Sequence, residues 1–95
     1  MTYHGYKDWT AQNMVTEPSL PGLSYNPEQL FWISAANNYC VKYRSEYLRN
    51  RIMTNVHSPA KFRVIGTLSN IKDFAKDFKC PVGSRMNPAD KCAVW

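Results

Sequence analysis

The chain has 95 residues, 44% of them hydrophobic and 14% aromatic, and a net charge of +5. It is too apolar for a disordered tail, makes one small domain at most, and is too short to build a deep cleft with walls of its own. The charge is lopsided: residues 1–47 carry three cations against four carboxylates, and residues 48–95 carry nine against three. The cations are dispersed and no Gly-aromatic RNA-binding signature accompanies them, so nucleic acid is not an expected partner. The longest unbroken apolar run is Leu30-Phe31-Trp32-Ile33, too short to span a membrane. The opening residues, Met1 to Tyr6, carry no signal-peptide pattern.

In chain order, Tyr3, Tyr6 and Trp9 recur at helical spacing, which predicts an amphipathic helix from Thr2 to about Asn13 that starts without an obvious cap. Pro18 and Pro21-Gly22 make Val15 to Asn26 a connector. Asn26-Pro27-Glu28-Gln29 is a strong helix start: an Asn cap, Pro at the first position, and Gln where a capping box places it. That helix is expected to reach about Lys42 and, being apolar nearly all round from Leu30 to Ala36, to be buried. Arg44 to Thr54 follows as a short basic helix. Ser58-Pro59 is expected to cap the next, ending near Gly66, and Ser69 or Asn70 to open a last one with the stripe Ile71, Phe74, Ala75 and Phe78. From Cys80, Pro81, Gly83 and Asn87-Pro88 predict an irregular tail, and Val94-Trp95 read as a tucked-in end. The fold class is all-α: short helices with irregular connectors.

His4 and His57 are the only imidazoles, and no His-Glu-x-x-His motif, Gly-x-Ser-x-Gly elbow or phosphate-binding glycine loop occurs. Cys40, Cys80 and Cys92 show no Cys-x-x-Cys spacing, so a structural zinc site is not expected. Three is an odd number, which in an extracellular protein calls for partners elsewhere; in a cytosolic one these would be ordinary thiols. The sharpest feature is His57 just before a helix start, with Arg63 six residues on. With Pro59 as the first helical residue, the two lie on the order of 9 Å apart along the axis. Two potential cations at a helix N-terminus suit a developing negative charge. The plain alternative is that Arg63 pairs with a surface carboxylate and His57 covers a loop.

Leu20-Pro21-Gly22-Leu23, Gln29-Leu30-Phe31, Tyr43-Arg44 with Glu46-Tyr47, Val56-His57-Ser58-Pro59, Phe62 to Asn70, Met86-Asn87-Pro88 and Cys92 with Val94-Trp95 stand in fixed order over nearly the whole chain. In this they resemble the C-terminal end of the neprilysin and endothelin-converting-enzyme family of zinc metallopeptidases. The resemblance implies that residues 1–95 are the C-terminal part of a larger, mainly helical peptidase domain whose zinc ligands all lie upstream. Zinc would then be a cofactor of the full-length enzyme and not of this segment, and the segment alone would be inactive. It implies that His57 stabilises the transition state and that Arg63 binds a substrate backbone carbonyl. Asn38 and Tyr39 fall at substrate-binding positions, where the family has an apolar residue and a tryptophan. It further implies that Cys40, Cys80 and Cys92 bond to upstream cysteines, that the substrates are peptides, and that the full enzyme is extracellular or at the cell surface, as a type II membrane or secreted protein. One departure is Asn55, where the family commonly has an aspartate; an amide does not favour the imidazolium as a carboxylate would. The rival reading is a small non-enzymatic helical binding module that works through its basic half.

Overall fold

The structure, a computed structural model, describes residues 2–92. The closing Val94-Trp95 lies outside the described residues. Five helices follow one another: α1 (Thr2–Gln12), α2 (Pro27–Asn37), α3 (Ser45–Thr54), α4 (Ala60–Ser69) and α5 (Lys72–Asp77). Between and after them the described backbone is turns and extended connectors, with one isolated bridge between Ser84 and Asn87. The all-α expectation is met.

Local chemistry explains most of the helix ends. Asn26 accepts from the Gln29 N–H at 2.8 Å while the Gln29 side chain accepts from the Asn26 N–H at 3.1 Å, a complete capping box. Helices α1 and α5 both close on a left-handed residue, Met14 (φ 48°) and Lys79 (φ 52°). The Val15 N–H donates to the Thr10 carbonyl at 3.0 Å, and the Cys80 N–H donates to the Ala75 carbonyl at 2.8 Å. These are Schellman closures in which a residue with a side chain takes the place glycine usually fills, at a cost of about 1 kcal/mol each. In the connector, Leu20-Pro21-Gly22-Leu23 is a turn with Gly22 at φ 78°, the value its third position requires, and the Leu23 N–H returns to the Leu20 carbonyl at 3.2 Å.

Three boundaries differ from expectation. Helix α2 stops at Asn37 instead of Lys42, because the Tyr39 and Cys40 N–H groups bond three residues back, to Ala36 and Asn37, and tighten the chain out of the helix. Nor is α2 buried all round: Trp32 is buried, Ile33 and Ala35 are exposed. Helix α4 begins at Ala60 with Pro59 as its cap and no bond from the Ser58 side chain, and it runs through Gly66 to Ser69. Gly66 does not end it, because Asn70 Nδ2 and Ser69 Oγ donate to the Gly66 carbonyl, at 2.9 and 3.2 Å, from one turn on. Helix α5 therefore starts at Lys72, capped by Ile71 and not by Ser69 or Asn70.

Asp77 at the end of α5 joins α1, α2 and α5. Its Oδ2 accepts from the Tyr3 hydroxyl at 2.6 Å and from Trp32 Nε1 at 2.8 Å, and its carbonyl accepts from Gln29 Nε2 at 3.0 Å. Around that carboxylate the rings pack: Tyr3 on Trp32 with centroids 4.3 Å apart, Tyr3 and Tyr6 each 5.1 Å from Phe31, and Phe74 edge-on to Trp32 at 6.0 Å. The His4 imidazole meets Asp73 at 2.8 Å, and Lys7 meets Glu28 at 3.1 Å. The Glu28 carboxyl is held below its ordinary range by its own backbone N–H and by that ammonium.

The core is small. Among the described residues only Tyr3, Trp32, Ala60 and Ala75 are buried hydrophobics, and α3 buries none of its own. The accessible surface is 7898 Å², against about 5,600 Å² for a compact monomer of this mass. The radius of gyration is 16.1 Å, against about 12 Å for a compact chain of this length. Val56, Met14, Met53, Val82 and Phe62 stand 94, 90, 79, 79 and 61% exposed.

Two outcomes follow. Asp77→Ala strands two buried donors and is expected to cost about 2–4 kcal/mol, read from denaturant unfolding followed by tryptophan fluorescence. The hydroxyl of Tyr6 donates to Glu17 at 2.6 Å; that bond, then burial, pushes its pKa from 10.0 up to about 12. A raised folded-state value adds stability that is complete below pH 10.0 and is lost as the pH climbs towards 12. Alkaline melting curves of the wild type should therefore fall across that window, and Tyr6→Phe should flatten the fall.

Candidate functional site

The loop from Asn55 to Pro59 places His57. The Asn55 side-chain oxygen accepts from the His57 N–H at 2.8 Å, the short-range turn for which asparagine is suited. The loop backbone is thus fixed while the His57 side chain stands exposed, ahead of the uncapped first turn of α4. Asn55 therefore helps to shape the loop, and the short polar side chain two residues before His57 is the sequence signal for that turn.

Arg63 sits one turn into α4, its N–H donating to the Pro59 carbonyl at 3.2 Å. Its guanidinium lies over the Tyr39 ring, 5.1 Å from the centroid. A cation over an aromatic face gains about 0.5–1 kcal/mol at an exposed site and, more usefully, holds the guanidinium plane in one orientation. The two line a groove of about 130 Å³ together with Ala35, Ala36, Val64, Thr67 and Leu68. A mainly apolar slot with an oriented five-donor fork on its wall can receive an apolar side chain and hold a carbonyl beside it.

The structure thus brings Arg63 and Tyr39 together. Asn38 faces elsewhere: it lines a second groove, of about 660 Å³, with Tyr6, Leu20, Leu30 and Phe31. The Arg63–Tyr39 pair is not legible in the sequence, because Tyr39 lies in the turn after α2, Arg63 lies on α4, and nothing local links them. Cys40 and Cys92 are exposed free thiols, and Cys80 is a half-buried one. Cys92 and Lys91 tie the tail to the end of α4: the Cys92 N–H donates to Asn70 Oδ1 at 2.8 Å and the Lys91 ammonium to the Ser69 carbonyl. Among the described residues no three His, Cys, Asp or Glu side chains gather where they would hold a metal ion, so these residues do not fit a catalytic zinc.

With this geometry in hand, the comparisons with known proteins fix the class. The family model of Peptidase family M13 matches residues 1–94, and the chain belongs to that family. It is similar to Neprilysin-2 of Drosophila melanogaster, 57% identical over 94 residues that make up 99% of this chain and 12% of the relative. It is also similar to an endothelin-converting enzyme homolog of Locusta migratoria, 44% identical over 98% of this chain and 13% of the relative. Neprilysin of Homo sapiens is 46% identical over 98% of this chain and 12% of its own length. The chain therefore spans about an eighth of the length of the curated relatives it matches.

Replacing Tyr39 tests the stacking directly. Tyr39→Leu is expected to move the Arg63 Nε–H proton resonance downfield as ring-current shielding is lost, and Tyr39→Phe to leave it in place, both read by NMR.

Proposed function

We propose that residues 1–95 form the C-terminal part of a metallopeptidase domain that cleaves peptides, and that His57 and Arg63 are the groups this part supplies to the reaction. The observation that carries the reading is the family match over 1–94, joined to a guanidinium oriented over Tyr39 at an apolar slot. The surface supports it as well: large apolar side chains such as Val56, Met53 and Phe62 stay exposed, as expected of a part that packs against the rest of a larger domain.

In this reading each residue has a separate task. The Arg63 N–H groups that face away from Tyr39 hold a backbone carbonyl of the substrate and keep the peptide extended across the start of α4. His57 donates a hydrogen bond to the oxygen that gains negative charge as the scissile carbonyl is attacked, an interaction stronger in the transition state than in the bound substrate. Tyr39 contributes to the slot and steadies Arg63. Asn38, on the neighbouring groove, binds substrate at a greater remove. Zinc belongs to the full-length enzyme and rests on ligands outside these residues. Cys40, Cys80 and Cys92 pair with cysteines of that remainder, and the whole enzyme works outside the cell or at its surface.

The test is a chimera in which this chain replaces the matching segment of a full-length family member such as Neprilysin-2. The chimera is expected to cleave a short hydrophobic peptide, and the 95-residue chain alone to leave it intact. His57→Ala in the chimera should lower kcat by about 10²-fold with little change in KM. Arg63→Ala should act mainly through KM. An unchanged kcat in the histidine variant would remove His57 from the chemistry.

A further inference from the structure

Helix α5 sorts its charges by face. Asp73 and Asp77 are spent inward, on His4 and on Tyr3 with Trp32. Its lysines Lys72 and Lys76, one turn apart, are exposed. Together with Lys79 from the left-handed cap and Lys91 from the tail, they line a single open groove of about 790 Å³. Asp90 is the one carboxylate on its wall, and none of the four ammonium groups is ion-paired among the described residues. The last α5 carbonyls do not oppose an anion there, since those of Ala75 and Lys76 are taken up by the Cys80 and Lys79 N–H groups.

We propose that this groove binds a linear sulfated polysaccharide. Lysine is a strongly hydrated point charge on a flexible stem, suited to a row of sulfates more than to one phosphate gripped bidentately. No aromatic side chain lines the groove, so the stacking platform that single-stranded nucleic acid uses is missing. The lysines share an open concavity with Val82, Pro88 and Ala89, and a concave row of cations fits a chain laid lengthwise better than a flat anionic membrane. This surface shares no residue with the Arg63–Tyr39 slot, although its wall includes Cys80, one of the thiols proposed above to pair with the rest of the domain.

The experiment is a titration of the 95-residue chain with a heparin oligosaccharide, with the same oligosaccharide fully desulfated, and with a DNA duplex. Heparin is expected to bind in a salt-sensitive manner, desulfated heparin not to bind, and DNA to bind more weakly than heparin. The triple change Lys72→Gln, Lys76→Gln, Lys79→Gln should weaken heparin binding at least about ten-fold, and the triple change of the same lysines to arginine should retain it. A control that removes equal charge away from the groove, Lys42→Gln, Arg44→Gln, Arg49→Gln, should cost less than about three-fold. Equal losses in the two glutamine triples would overturn the proposal, since binding would then follow net charge alone, as it would in an unfolded chain. DNA binding as tight as heparin, or binding that survives desulfation, would overturn it too.

Discussion

One carboxylate organises this chain. Asp77 Oδ2 receives the Tyr3 hydroxyl and the Trp32 indole N–H, and both donors belong to rings at the centre of the small core. A carboxylate between two such donors is well satisfied, and removing it would leave both stranded away from water. The arrangement also has an electrostatic signature: burial, then the hydrogen bond to Asp77, drives the Tyr3 pKa far above its usual range. The packing of α1 on α2 and of α2 on α5 meets at this group. Helix α4 comes along because it packs on α5, and with it comes Arg63.

The candidate site inherits its geometry from that chain of contacts, not from any rigid local motif. Tyr39 follows α2 and Arg63 rides on α4, so their meeting depends on both helices holding their places beside α5. His57 is different. Its loop carries a bond that closes within three residues, from the His57 N–H to the Asn55 side-chain oxygen. Two groups proposed to touch the same peptide are therefore positioned by unrelated means, one tertiary and one local. Stacking on Tyr39 narrows the directions open to the guanidinium, while the exposed imidazole can adjust to a substrate.

What could be read from the chain beforehand was what lies close in sequence. The Asn26–Gln29 capping box, the break at Pro21-Gly22 and the Ile71-Phe74-Ala75-Phe78 stripe are local patterns, and the helices formed where they pointed. The misplaced ends have local causes of a weaker kind. Asn70 and Ser69 supply side-chain donors that carry α4 past a glycine, and the sequence gives no sign that those would win over a glycine stop. In the sequence Asp77 is no more than one of three negative charges in the second half, because both its partners lie far away along the chain. The Arg63–Tyr39 contact was hidden for the same reason. The resemblance to the peptidase family named both residues without saying that they stack.

The distances along the chain at which Asp77 works have a consequence for how the protein is made. Its bond to Trp32 closes a span of 45 residues and its bond to Tyr3 a span of 74. The length-dependent entropy of closing the longer loop is about 4 kcal/mol. No local turn guides either closure. On a ribosome the first two helices emerge well before their acceptor does, and until residue 77 is synthesised their aromatic donors can be satisfied only by water. The segment is thus a late assembler: its oldest part waits for nearly its newest.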